Sequence, residues 1–157
     1  SIGQQVARKA EAFDMRVIAV TRTGAVVDAA DETVSADRMI DVLPGADAVV
    51  MCLPLNDRTR GLLGEEELAA MKPSAVIVNV ARGGVIDQHA LGNALRDHRL
   101  GGAGLDVFEP EIPPDDSPLR TAKNILLTSH SAWYSEDSTQ DARVEAVDSV
   151  VEFLTAG

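Results

Sequence analysis

The side chains best suited to catalysis follow apolar runs of strand length. Arg82 comes two residues after "AVIVNV" (residues 75–80), and His130 comes two residues after "NILLT" (residues 124–128). A guanidinium offers two parallel hydrogen bonds to a carboxylate. An imidazole titrates near neutral pH and exchanges a proton with an oxygen atom of a bound molecule. The two residues therefore predict anion binding and proton transfer at one site.

A carboxylate that stabilises an imidazolium and fixes its orientation would complete such a site. Glu109 and Glu111 in "DVFEPE" are the two candidates, and both also fit a solvated acidic loop. Arg82 equally fits a surface ion pair. His89 and His98 lie in the polar segment "DQHALGNALRDHRL", where the simplest interpretation is that both are solvated.

Composition excludes several classes of partner. The net charge of -11 repels phosphate backbones, so we expect no nucleic-acid binding. No apolar run reaches membrane-spanning length, and no signal peptide is recognisable, so we expect no membrane association. The single Cys52 in "AVVMCLP" predicts a small buried thiol and a reducing cytoplasm. No histidine or cysteine pair has ligand spacing, so we expect no metal.

Apolar runs alternate with segments of helical period along all 157 residues. Strands are predicted at residues 15–20, 46–53, 75–80, 102–107 and 124–128, and helices at residues 2–13, 36–43, 65–71, 87–96 and 136–154. Continuous hydrophobicity is typical of parallel strands covered on both faces. The fold class is therefore α/β, with a doubly wound parallel sheet of the Rossmann type.

The opening "SIGQQVARKA" is typical of a helix that follows a glycine-rich turn. In a dinucleotide-binding G-x-G-x-x-G motif, the third glycine lies in the first helical turn, so that the helix packs closely on its strand. Gly3 has that position, whereas the preceding strand and the first two glycines are missing from the sequence. A glycine placed there by packing alone is the other interpretation.

The end of the second strand of such a fold selects the cofactor, because an acidic residue binds the ribose of NAD and a basic one accommodates the phosphate of NADP. Thr21, Arg22 and Thr23 stand there in "VIAVTRTG", with no carboxylate. We expect NADP or NAD, with a preference for NADP. Arg22 stacking on adenine or pointing to solvent is the alternative.

Two long segments occur in order: "LPLNDRTRGLLGEEELAAMKPSAVIVNVARGGVIDQHALGNALRDHRLGGAGLDVFEPE" and "TSHSAWYSE". Together they resemble the D-isomer-specific 2-hydroxyacid dehydrogenase family, and "HSAWYSE" is most similar to its C-terminal-binding protein branch. In that family the nucleotide domain is inserted into a substrate-binding domain. The resemblance implies that residues 1–157 are a dinucleotide-binding domain, truncated at both ends, without the substrate domain.

The resemblance also assigns catalytic roles. It implies that Arg82 holds the substrate, that His130 donates the proton, and that Glu111, in preference to Glu109, supports His130. Trp133 matches a residue that faces the substrate, although it also fits a packing anchor for the last helix.

Two positions depart from the family pattern. Ile112 follows Glu111 where the family usually has proline, which leaves Glu109 open as a substitute. Ser129 precedes His130 where proline is common, so we expect a less constrained backbone there.

Further positions are assigned to the cofactor by the resemblance, with Asp106 reaching the nicotinamide carboxamide. The others are Ile2, Gly3, Leu53, Pro54, Thr59, Val80 and Ala81.

The resemblance implies an oxidoreductase that transfers a hydride between NAD(P) and a small 2-oxo or 2-hydroxy acid, D-isomer specific, in a cytoplasmic homodimer. A cofactor-sensing scaffold of the corepressor type is the alternative. We expect the 157-residue chain alone to be an inactive cofactor-binding fragment. The missing first strand is central in the order 3-2-1-4-5-6, so its loss would leave two interior strand edges unpaired.

Overall fold

The computed structural model describes residues 1–155, in which helices and short strands alternate along the chain. The helices are α1 (Ile2–Glu11), α2 (Met39–Val42), α3 (Glu65–Ala70), α4 (Gln88–Arg96) and α5 (Glu136–Thr155). The strands are β1 (Ile18–Thr21), β2 (Glu32–Ser35), β3 (Ala48–Met51), β4 (Val76–Asn79), β5 (Gly102–Leu105) and β6 (Ile125–Leu127). All ten predicted elements are present, with ends shifted by up to three residues.

The strands form two parallel sheets. β1 pairs with β2, and the other four strands pair in the order β3-β4-β5-β6. β1 and β3 each keep one edge that no strand of residues 1–155 pairs with. Parallel strands that alternate with helices in this way confirm the α/β Rossmann-like class.

One face of the four-stranded sheet builds the core. Met51, Ile77 and Leu105 belong to one buried cluster with Leu68 of α3 and Leu91 of α4. Because side chains alternate along a strand, these residues share a face that the two helices cover. The covered face holds the carboxyl ends of the strands in a fixed relative position.

The opposite face differs from the expectation that strands are covered on both sides. Val50, Val76 and Leu126 are 39%, 40% and 68% exposed. Continuous hydrophobicity indicates that a strand is apolar on both faces, but it does not identify the segment that covers each face. α5 contributes no buried residue.

Strand β2 was not predicted. Its sequence, "ETVS", contains one apolar side chain, Val34, which is buried while its neighbours are half-buried. Four residues with a single apolar position give no periodic signal. The pairing with β1, in which Val34 lies opposite Val20, makes this segment a strand.

The predicted helix at residues 36–43 is broken into three short pieces. A 3-10 turn at Ala36–Arg38 precedes α2, and a second at Leu43–Gly45 follows it. Pro44 lies in the second turn, and proline lacks the N–H that would continue an α-helix. Within residues 1–155, no helix has the length and apolar character needed to cross a membrane.

Candidate active site

Three loops meet at the carboxyl ends of β4, β5 and β6. The Asp106 N–H donates to the Asn79 carbonyl at 3.0 Å, and the His130 N–H donates to the Asp106 carbonyl at 2.8 Å. These bonds continue the sheet ladder beyond the strands, so the segments that carry Arg82, Glu111 and His130 begin side by side. Ligands of open parallel sheets bind at this edge.

Asn79 shapes the turn that presents Arg82. Its side chain is buried, accepts from the Ala81 N–H at 3.0 Å and donates to the Arg82 carbonyl at 3.0 Å. The Arg82 side chain is exposed, and its Nη1 donates to the Ala81 carbonyl at 2.7 Å. One guanidinium N–H is thereby used, which leaves four donors for a ligand.

The two candidate carboxylates have different partners. Glu111 Oε1 lies 2.6 Å from His130 Nδ1. Glu109 Oε1 instead lies 2.7 Å from Arg60 Nη1. The structure therefore pairs the imidazole with Glu111, the residue that the family resemblance favours, and gives Glu109 a separate contact.

Asp106 supports the loop that carries His130. Asp106 is 3% exposed, and its carboxylate accepts hydrogen bonds from Thr128 Oγ1, the Ser131 N–H and the Ala132 N–H. Burial acts to raise the pKa of Asp106, but these bonds and the nearby His130 outweigh it and lower the pKa overall. Three of about four acceptor positions are occupied. The predicted contact with the nicotinamide carboxamide stays a prediction.

The His130 backbone has φ of 55°, which is uncommon for a residue other than glycine. The bonds around Asp106 hold this conformation, together with the indole N–H of Trp133, which donates to the His130 carbonyl at 2.9 Å. These bonds hold the loop although Ser129 stands where proline is common in the family. Trp133 is 60% exposed and is therefore not a buried packing anchor.

The predicted cofactor residues after β3 form an ordered loop. Thr59 Oγ1 donates to the Pro54 carbonyl at 2.7 Å and accepts from the Asn56 N–H at 2.8 Å. Leu53 is half-buried beside the core. Val80 and Ala81 continue β4 at the neighbouring strand end, where Val80 is exposed.

Ile2 and Gly3 lie in the first turn of α1. Ile2 is exposed, and a Cβ added to Gly3 would stand 3.4 Å from Cys52 Cβ. This is an ordinary contact distance, so the structure contains no steric demand for glycine at position 3. Cys52 is half-buried, where a buried thiol was predicted, because it lies beyond the end of β3; burial still raises its pKa.

Thr21, Arg22 and Thr23 lie at the end of β1, in the two-stranded sheet. Arg22 and Thr23 are exposed, and Thr21 Oγ1 donates to the Ala25 carbonyl at 3.5 Å. Among the described residues, no carboxylate lies within ion-pair distance of Arg22. The donors fit a phosphate, but no hydrogen bond of residues 1–155 joins this segment to the His130 loop.

His89 and His98 are both exposed, on and just after α4. No group of three histidine, cysteine, aspartate or glutamate side chains within the described residues is arranged to hold a metal ion. The proton-transfer candidate with a carboxylate partner is therefore His130.

Sequence reasoning missed three residues of this site. Asn79 is the buried amide in "NVARGG", and an asparagine at a strand end is a known turn-forming signal that would have pointed to it. Arg60 and Thr128 gave no such signal. Their partners, Glu109 and Asp106, are 49 and 22 residues away in the sequence.

Comparison with known proteins identifies the chain. Residues 1–132 match the family model of the D-isomer specific 2-hydroxyacid dehydrogenase, NAD binding domain. The chain is 41% identical over 150 residues to the (S)-sulfolactate dehydrogenase of Chromohalobacter salexigens, which covers 95% of this chain and 48% of that protein. The chain thus spans about half the length of the curated relatives it matches.

Solved structures agree with this match. An acyclic imino acid reductase (Bsp5) in complex with NADPH and D-Arg is 33% identical with a TM-score of 0.89, covering 99% of this chain and 48% of that one. The NAD-complexed D-isomer specific 2-hydroxyacid dehydrogenase from Lactobacillus delbrueckii ssp. bulgaricus is 31% identical with a TM-score of 0.86, covering 99% and 50%. The chain is an NAD(P)-binding, Rossmann-like domain and belongs to the D-isomer specific 2-hydroxyacid dehydrogenase family.

Proposed function

We propose that the full-length protein reduces a small 2-oxo acid to the D-2-hydroxy acid, and catalyses the reverse oxidation. The observation that carries this proposal is the 2.6 Å contact between His130 Nδ1 and Glu111, at the same sheet edge as Arg82. A protein that only binds a nucleotide has no need of a proton donor with a carboxylate partner.

The chain's own residues supply binding and proton transfer. Arg82 binds the carboxylate and carbonyl oxygens of the oxo acid through its free guanidinium donors. Glu111 accepts from Nδ1 of His130, so that Nε2 is the nitrogen left to give a proton to the carbonyl oxygen. When bound, NAD(P)H would supply the hydride that the carbonyl carbon receives. Trp133, exposed beside His130, borders the substrate in this proposal.

The cofactor contacts are proposed for the segments around this edge. Leu53, Pro54 and Thr59 would border the dinucleotide, together with Val80, Ala81 and Asp106 and, at the start of α1, Ile2 and Gly3. For the adenosine end we propose Thr21, Arg22 and Thr23, with NADP preferred over NAD. The exposed, unpaired guanidinium of Arg22 supports that preference.

The test is oxidation of NADPH and NADH by the full-length protein with glyoxylate, hydroxypyruvate and longer 2-oxo acids. We expect turnover with at least one of them and loss of turnover in His130→Gln. Cofactor binding without turnover on any of these acids would contradict the proposal and favour the alternative function, a cofactor-sensing scaffold of the corepressor type.

We also propose that residues 1–157 are a dinucleotide-binding domain that is inactive without the substrate-binding domain, and that the full-length protein is a cytoplasmic homodimer. The unpaired edges of β1 and β3 support the view that the sheet lacks a strand. Thermal unfolding and activity of the 157-residue chain beside the full-length protein test the first point. Light scattering of the full-length protein tests the dimer, and fractionation of the source cells tests its compartment.

A further inference from the structure

One ion pair near the site has no place in the proposed chemistry. Arg60 Nη1 lies 2.7 Å from Glu109 Oε1, across 49 residues of sequence. Arg60 lies in the loop between β3 and α3, and Glu109 lies in the loop after β5. The pair therefore joins the loop before α3 directly to the loop after β5.

The ion pair lies directly on the turn that follows Arg82. A Cβ added to Gly84 would stand 1.8 Å from Glu109 Oε2 and 3.0 Å from Arg60 Nη1. The backbone of the loop that carries Arg60 also contacts this turn, because the Gly61 N–H donates to the Gly84 carbonyl at 2.8 Å. Because Gly84 has no side chain, both charged groups can pack over the backbone next to Arg82.

The loop that carries Glu111 leaves the core after Val107, which is buried, and Phe108, which packs against the core. Residues 107–117 contain no helix or strand, and the Glu111 side chain is exposed. Phe108 packs its backbone against Gly83, and Gln88 Nε2 donates to the Glu109 carbonyl at 3.3 Å. The Glu109 side chain is the charged anchor, two residues before Glu111. Its loss would remove the ion pair that holds this end of the loop against the turn after Arg82.

We propose that Arg60 and Glu109 are positioning residues. Their ion pair fixes the Glu111 loop (residues 107–117) against the turn that follows Arg82 (Gly83–Val85), so that Arg82, Glu111 and His130 act on one substrate. This inference rests on the proposed function. Neither residue touches the reacting atoms in this account. A displacement of a catalytic group by about 1 Å is enough to lower turnover strongly.

The exposure of the pair makes the proposal testable. The side chains are 56% and 42% exposed, and such pairs contribute little to folding stability. Loss of the pair should therefore change catalysis with little change in melting temperature. A purely structural role would change the melting temperature and cofactor affinity together.

The experiment compares Arg60→Gln, Glu109→Gln and the double variant in the full-length protein. We expect each single variant to lower kcat/KM for the oxo acid by roughly 10-fold, and the double variant to be no worse than either single one, because one interaction is lost in all three. Cofactor Kd and melting temperature should stay at the wild-type values. Arg58→Gln and Asp116→Asn, exposed charges in the same two loops, are matched controls and should behave as wild type.

The pH profile of kcat/KM gives the decisive readout. If the ion pair holds Glu111 against His130, both single variants should move the pH of half-maximal reductase activity in the same direction as Glu111→Gln. Variants with wild-type kcat/KM and pH profile would overturn the positioning role, as would effects that add in the double variant. A wild-type protein without turnover would instead show that the proposed function is wrong.

Discussion

Glu111 Oε1 lies 2.6 Å from Nδ1 of His130, although the two residues belong to loops after different strands. The contact leaves one ring nitrogen of His130 for a ligand. It also fixes the orientation of the imidazole, because a carboxylate that accepts from one ring nitrogen selects the tautomer and the ring position.

Glu111→Gln tests this relationship. The carboxylate orients the imidazole so that Nε2 faces the substrate, and loss of the carboxylate removes that orientation. We therefore expect kcat/KM at pH 7 to fall by about 10-fold and the pH profile of kcat/KM to change. Asp116→Asn in the same loop should leave the profile unchanged. An unchanged profile in Glu111→Gln would remove Glu111 from the mechanism.

Arg82→Lys should lower kcat/KM by about 100-fold while cofactor affinity stays constant. Lysine keeps the charge but loses the planar pair of donors that binds a carboxylate and a carbonyl together. Steady-state kinetics and cofactor titration measure the two quantities. Arg58→Gln is the control, because Arg58 is exposed on a neighbouring loop. Equal losses of cofactor and substrate affinity would contradict a substrate role.

Arg22→Gln should weaken NADPH binding by about 10-fold and leave NADH binding nearly unchanged, because a charged hydrogen bond to the 2′-phosphate exists only with NADPH. Fluorescence titration of both cofactors measures the two Kd values. Arg16→Gln, at the other end of β1 in an ion pair with Glu32, is the control. Equal changes for both cofactors would show that Arg22 stacks on adenine or faces solvent.

Asp106→Asn should lower the free energy of unfolding by about 2 kcal/mol at neutral pH, because the amide N–H₂ cannot accept the bonds that the carboxylate accepts. The folded-state pKa of Asp106 lies below its ordinary value. Its stabilisation is therefore present above the unfolded-state pKa and is lost as pH falls through the folded-state pKa.

Urea unfolding between pH 3 and pH 7 checks the Asp106 prediction. The gap between wild type and Asp106→Asn should be widest near neutrality and narrow below roughly pH 4. A gap that stays constant down to acidic pH would show that the charge of Asp106 contributes nothing.

Gly83→Ala and Gly84→Ala should both lower stability, but the additional substitution Glu109→Ala should restore it only in Gly84→Ala. The Cβ at position 84 meets the end of the Glu109 side chain at 1.8 Å, whereas the Cβ at position 83 meets the Phe108 carbonyl carbon at 2.1 Å. We expect the free energy of unfolding to fall by about 1 kcal/mol in Gly84→Ala and by about 3 kcal/mol in Gly83→Ala. Adding Glu109→Ala should relieve the clash at position 84, because the flexible Glu109 side chain is removed. It should not relieve the clash at position 83, which is with the Phe108 backbone. Equal relief at both positions would contradict the packing of Glu109 over Gly84.

Much of the fold was predictable because the evidence for it is local. Within residues 1–155, apolar runs and helical periods predicted five of the six strands and the positions of all the helices, since burial on a sheet requires such patterns. β2 was missed because a strand with one apolar residue is defined by its partner. The cover of the second sheet face was mispredicted for the same reason: it depends on which segment packs there.

The residue types and positions of the site were also present in the sequence. Arg82 and His130 follow strands, and parallel strands bring such residues to one edge. Which of Glu109 and Glu111 contacts His130 was decided by tertiary structure, because the contacts of Glu109 with Arg60 and of Glu111 with His130 depend on the path of one irregular loop. The role of Asp106 in holding the His130 loop was likewise decided by tertiary structure.

The sequence by itself determined the α/β class, the family and the residues proposed to bind an oxo acid and transfer a proton, because periodicity and motif spacing are properties of short segments. The tertiary structure decided which charges meet, since hydrogen bonds and ion pairs act over about 3 Å, and no rule of sequence spacing brings residues 49 positions apart to that distance.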